Sequence, residues 1–135
     1  MAYPISDIEG IGLGQQAKFK TADITSVEQL LEKGSSPKGR KELEEVTGID
    51  SKRILRFVNH ADLFRINGIA GQFSELLEAA GVDTVSELKT RVPENLHTKL
   101  VEVNEKKNIV NQVPGLGQIE DFISQAKKLA PKVTH

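Results

Sequence analysis

Between Ile8 and Phe19 the chain reads IEGIGLGQQAKF, with glycines at positions 10, 12 and 14. Alternate glycines suit three kinds of chemistry. They can cradle a dinucleotide pyrophosphate, offer main-chain N–H groups to a nucleic-acid phosphate, or let the backbone turn tightly between two helices. The context speaks against the first. A dinucleotide fingerprint follows a buried strand and meets an acid about 20 residues later in a second strand. Here only MAYPISD precedes Ile8, and the Gly-x-Gly-x-Gly spacing is not the required one.

The second chemistry-bearing set is basic. GSSPKGRKEL places Lys38, Arg40 and Lys41 in the first turn of a helix, where the dipole favours anions over cations. On the next helix Lys52, Arg56 and His60 recur every four residues and share one face, while Ile54, Leu55, Val58 and Ala61 point elsewhere. These cations suit phosphate. The plain alternative is that Lys38 to Lys41 answer Glu42, Glu44 and Glu45 within one helix, and that Lys52 to His60 form a solvated face. The charge is zoned: residues 1–32 carry two cations and five anions, 33–65 eight and five, 66–105 three and seven, and 106–135 five and two. With 18 basic and 19 acidic side chains the net charge is only -1, so any anion site is local.

Other chemistries lack their residues. His60, His97 and His135 have no acid at metal-ligand spacing, Ser35 and Ser36 have capping work and no nearby base, and Glu120 and Asp121 face different directions on a helix. There is no cysteine, which removes disulfides and thiolate sites and suits a reducing cytoplasm. No catalytic residue, metal, cofactor or small-molecule substrate is expected. No apolar run reaches the roughly 18 residues of a membrane span, and the N-terminus lacks the basic start and apolar stretch of a secretory signal. The expectation is a soluble cytoplasmic protein. Five phenylalanines and Tyr3 leave no base-stacking platform, so core packing is the role expected of Phe19, Phe57, Phe64, Phe73 and Phe122.

The elements that must position these residues come in two copies. Shifted by 58, Ile8, Gly10, Ile11, Ala22, Val27 and Leu30 fall on Ile66, Gly68, Ile69, Ala80, Val85 and Leu88. Later, with an insertion, Ile54, Phe57, Val58 and Ala61 match Ile119, Phe122, Ile123 and Ala126, which sets Lys52, Arg56 and His60 against Gly117, Asp121 and Gln125. Apolar residues recur at three and four, and the punctuation is that of helix ends. Ser26 with Gln29 and Thr84 with Glu87 read as capping boxes, Thr25 with Glu28 being an alternative; Ser36–Pro37 reads as a cap and first-turn proline, and Asp50 as the cap of the helix carrying Ile54. Gly34, Gly48 and Gly81 sit where residues past helix ends do. The fold expected is all-α, about eight short helices with a pseudo-two-fold internal duplication: repeat 1 over residues 1–65 and repeat 2 over 66–135, in one compact domain.

In this frame EGIG is the turn of a helix-hairpin-helix unit, with Gly10 and Gly12 in conformations closed to other residues and Ile11 plugging the space between helices. NGIA, Asn67 to Ala70, keeps the glycine and the plug. VPGLGQ, Val113 to Gln118, reads either as a third hairpin or as a capped helix start, the alignment favouring the latter. IEGIG, ADITSVEQLLEKG, SSPKGRKELEEVTGID, NHADLFRINGIAGQFSELLEAAGVDTVSEL and PENLHTKLVEVNEKKNIV together resemble an uncharacterised bacterial family of tandem helix-hairpin-helix domains, over about Ile5 to Leu129. The resemblance implies paired hairpins, no known catalytic activity, and DNA binding by analogy with other helix-hairpin-helix proteins. It places phosphate contact on Gly12, Leu13 and Gly14, with Lys18 as the nearest cation. Glu9 opposes an anion there, and Ala70 replaces the second glycine in the second copy.

The expected function is therefore sequence-independent contact with the DNA backbone through Gly10, Gly12, Leu13, Gly14 and Lys18, joined by Lys38, Arg40, Lys41, Lys52 and Arg56. Its rival is a protein-interaction or scaffold module, possibly self-associating, that binds no nucleic acid. No membrane partner is expected.

Overall fold

A computed structural model describes residues 3–135. After a 3-10 turn at Ile5–Asp7 come eight helices: α1 Leu13–Lys20, α2 Val27–Gly34, α3 Pro37–Thr47, α4 Ser51–Leu63, α5 Gly71–Ala79, α6 Val85–Leu88, α7 Pro93–Lys107 and α8 Leu116–Lys127. Among the described residues there is no strand; one isolated antiparallel bridge joins Pro4 and Ser26. The protein is all-α.

Local chemistry sets the helix ends. Ser26 Oγ accepts from Gln29 N–H at 3.1 Å while Gln29 Oε1 accepts from Ser26 N–H at 3.2 Å, a reciprocal box that satisfies two otherwise orphaned donors. Thr25 N–H also donates to Gln29, at 2.8 Å, so Gln29 and not Glu28 closes this box. Ser36 caps α3 ahead of Pro37 and Thr84 caps α6. Asp50 precedes α4, its carbonyl accepting from Ile54 N–H at 3.0 Å. Gly48 and Gly81 follow α3 and α5 with φ of 74° and 89°. Gly34 departs from expectation: it is the last residue of α2, and a Cβ there would fall 2.5 Å from Val58 Cγ2, so smallness and not torsion fixes it. Gly115 precedes α8 with its N–H bonded to Gln118 Oε1 at 3.0 Å, which makes the Val113–Gln118 segment a helix start.

The chain divides into two compact units, Met1–Asp62 with Lys132–His135, and Leu63–Pro131. The first unit buries Ile8, Ile11, Leu30, Leu43, Ile54 and Val58, with Phe19 and Phe57 edge to face at 6.2 Å between centroids. The second buries Ile66, Ile69, Leu76, Leu88, Leu100 and Ile119, with Phe73 and Phe122 tilted at 6.4 Å. Each fully buried aliphatic or aromatic side chain contributes about 1.5–3 kcal/mol through water released from its surface.

Each unit contains one glycine bend of the same construction. Ile11 N–H donates to Ile8 O at 3.2 Å and Ile69 N–H to Ile66 O at 3.1 Å, closing four-residue turns whose third residue is glycine. Gly10 and Gly68 have φ of 92° and 100°, a region closed to side chains with a Cβ except at a cost of about 1–2 kcal/mol. Both isoleucines of each turn are buried and both glycines exposed, so the turn is pinned from beneath.

Candidate nucleic-acid interface

The bend at Gly10 delivers the chain to α1 with its first turn facing water. Gly12, Leu13 and Gly14 are exposed, Leu13 to 84%, and a Cβ on Gly14 would meet no atom within 4 Å. Gly12 corrects one expectation. Its φ of -91° and ψ of -172° are extended and open to any residue, and Ala70 occupies the matching place before α5 at -134° and -161°. The second glycine is therefore not required by the turn. Its N–H is also already used, donating to Gln15 Oε1 at 3.2 Å. Among the described residues, the N–H groups of Leu13 and Gly14 donate to no partner, as the opening donors of a helix have none within the helix itself.

Two of the expected elements meet here. Arg56 on α4 is exposed, and its Nη1 lies 3.6 Å from the point where a Gly10 Cβ would stand. The cation thus borders the glycine bend. Lys18 is exposed in the last turn of α1, where a cation also favours the helix dipole. Arg53, which a four-residue stripe passes over, stands three residues before Arg56, exposed, with its guanidinium 5.8 Å from the Phe57 ring centroid. Its three-residue spacing to Arg56 was the signal for it.

The remaining cations separate. Lys38, Lys41 and Lys52 are exposed, and Lys41 and Lys52 line a groove of about 330 Å³ with Arg40 and Glu44. Two of the three acids of α3 are engaged elsewhere. Glu42 pairs with Lys33 of α2 at 2.6 Å, and Glu44 accepts from Ser51 N–H at 2.7 Å. The hydrogen bond and charge of Lys33 hold the Glu42 carboxyl below its ordinary pKa, the charge of Lys38 adding less.

Arg40 and His60 correct the sequence reading. Arg40 is 6% exposed, and its guanidinium donates to the carbonyls of Gly34, Ser35 and Thr134 at 2.8, 3.1 and 2.6 Å. It is a buried clasp rather than an exposed anion ligand, because a guanidinium fork matches the unpaired carbonyls at a helix end. Burial lowers its pKa from the usual arginine value. His60 is 1% exposed, and positions 57–64 are buried without interruption, so the amphipathic face of α4 ends before it.

The second bend differs in its surroundings. Gln125 Oε1 accepts from Asn67 N–H at 2.8 Å, its Nε2 donates to Asn67 O at 3.1 Å, and the same Nε2 reaches Asp121 Oδ2 at 2.9 Å. Here Asn67 has both main-chain groups engaged by Gln125, and the Asp121 carboxylate bonds the same side chain. Among the described residues no three His, Asp or Glu side chains are grouped to hold a metal, and no helix is long and apolar enough to cross a membrane.

A family model described as Domain of unknown function (DUF4332) matches residues 9–129. Comparison with curated proteins and with solved structures finds no match.

Proposed function

The chain belongs to the family described as Domain of unknown function (DUF4332), and since that description assigns no activity, we propose one from the arrangement of its own residues. The protein is a non-catalytic cytoplasmic module of two copied helix-hairpin-helix units that holds duplex DNA by its phosphates without reading bases. The carrying observation is the placement of Arg56 beside Gly10, at an exposed helix start. A phosphate there would accept from the N–H groups of Leu13 and Gly14 and face the charge of Arg56, with Arg53 one turn earlier on α4 and Lys18 in the last turn of α1.

The contrast between copies supports the same choice. When Phe57 is laid on Phe122, Arg56 falls on Asp121, and the second bend carries an acid where the first carries a cation. At the first bend the cation offsets Glu9; the second has an acid and no matching cation. Titration of fluorescent duplexes of two unrelated sequences tests the proposal. Both should bind with Kd near 10⁻⁴–10⁻⁶ M at physiological salt and weaken steeply as salt rises. Absence of binding at 50 mM salt would end it.

A protein-interaction module is the second reading, favoured by Leu13, an apolar side chain 84% exposed at the start of α1. Light scattering that shows self-association, without DNA binding at low salt, would select it.

A further inference from the structure

Helix α2 ends in two carbonyls, of Gly34 and Ser35, that the helix leaves without internal donors. Three donors from elsewhere serve them, the Thr134 hydroxyl reaching Ser35 O at 3.3 Å. Arg40 Nη1 donates to both, at 2.8 and 3.1 Å, and Thr134 N–H donates to Ser35 O at 2.8 Å. Arg40 Nη2 then closes a ring by donating to Thr134 O at 2.6 Å. Alongside, Lys132 Nζ stands 2.9 Å from Glu32 Oε2. The segment Lys132–Thr134 thus lies over Arg40 with both main-chain groups of Thr134 engaged.

The two sides are held very differently. Arg40 is 6% exposed, whereas Pro131, Lys132, Thr134 and His135 are exposed and Val133 is half-buried. No side chain of the segment enters a core. It is attached by three hydrogen bonds of Thr134, through its N–H, its carbonyl and its hydroxyl, each worth about 1 kcal/mol net, and by a surface ion pair worth less. Such attachments open locally, well below the free energy of global unfolding. Arg40 meanwhile borders the groove that carries Lys41 and Lys52.

We infer that Lys132–Thr134 is a releasable strap masking Arg40, and that its release turns the outer edge of that guanidinium toward the groove of Lys41 and Lys52, making a three-cation site for phosphate. Nη1 stays on the carbonyls of Gly34 and Ser35, so the fork keeps its position while Nη2 changes partner from Thr134 O to a phosphate oxygen. The release itself stands on the hydrogen bonds above; the gain in phosphate affinity rests on the proposed DNA-backbone reading.

The Thr134→Pro variant removes both the N–H and the hydroxyl that donate to Ser35 O and leaves the net charge unchanged. Labelling with phenylglyoxal, followed residue by residue by mass spectrometry, should find Arg40 at least threefold faster in the variant than in the wild type, though still slower than exposed Arg53 because Nη1 stays bonded, circular dichroism confirming equal helix content. Amide exchange at Thr134 in the wild type should be at least a hundredfold faster than in α4. Arg40 still protected in the variant, or Thr134 exchanging only with global unfolding, would overturn the strap. Duplex DNA should bind Thr134→Pro three- to tenfold more tightly than wild type, and adding Arg40→Gln should abolish that gain; binding by both with no gain would overturn the three-cation site. If neither protein binds DNA at 50 mM salt, the DNA reading fails and with it the phosphate site, while labelling and exchange still decide the strap.

Discussion

Phe122 Cε1 stands 2.9 Å from the point where a Cβ on Gly68 would lie, and Phe57 Cε1 stands 3.4 Å from the same point on Gly10. Each bend rests on a phenylalanine, but the second is the tighter. Both glycines have positive φ, so alanine strains either turn; at Gly68 it must also displace a ring that is 5% exposed. Gly10→Ala should cost about 1–2 kcal/mol and Gly68→Ala about 1 kcal/mol more, read from urea midpoints. Equal losses would mean that torsion alone decides.

Gly12→Ser should move stability and binding in opposite directions. Gly12 holds an extended N-cap conformation with no side chain to accept from the helix, and Gln15 already supplies the return bond. A serine would complete the arrangement seen at Ser26 and Gln29, adding a few tenths of a kcal/mol. It would also occupy the Gln15 N–H and set its side chain beside the Leu13 and Gly14 donors proposed for phosphate. Thermal midpoint should rise slightly while DNA affinity falls.

Arg56→Glu should weaken binding to unrelated duplexes alike, by tenfold or more at 50 mM salt, with little change in helix content. Lys52→Ala should reduce the slope of log affinity against log salt by about one. A loss confined to one sequence would point to base reading instead.

Removing Arg40 should damage the fold more than removing its neighbours. Arg40→Met leaves the carbonyls of Gly34 and Thr134 without their donor and Ser35 O with Thr134 alone, which costs about 2–3 kcal/mol. Lys38→Ala and Lys41→Ala, both at exposed sites, should stay within about 0.5 kcal/mol. Chemical denaturation compares the three.

Glu42 should give the fold a small acid dependence. Its pKa is depressed by Lys33, so the carboxylate is the stabilising form. That contribution is present above the ordinary value of 4.5 and disappears as pH falls through the lower folded value. The wild type should melt above Glu42→Gln at pH 6, and the difference should vanish in strongly acidic buffer.

Helix count and helix starts were legible because their determinants are local: Ser26 with Gln29, Ser36 with Pro37 and Thr84 lie within one turn of what they cap. Gly10 and Gly68 were legible because a repeated glycine between buried isoleucines has few other uses. Gly12 misled because spacing alone cannot tell an extended glycine from a left-handed one. Arg40 and His60 misled for a different reason. Burial of Arg40 depends on Thr134, 94 residues away, and no periodicity within α3 encodes that. The approach of Arg56 to Gly10 is likewise a product of packing between α4 and the bend.

Because Lys132–His135 complete the first unit after the whole of the second has been made, that unit is discontinuous along the chain. At a ribosomal pace of about 5–20 residues per second, the 94 residues between Arg40 and Thr134 correspond to a delay of roughly 5–20 s. A nascent first unit emerges early and spends that interval with one guanidinium edge still waiting for its carbonyl.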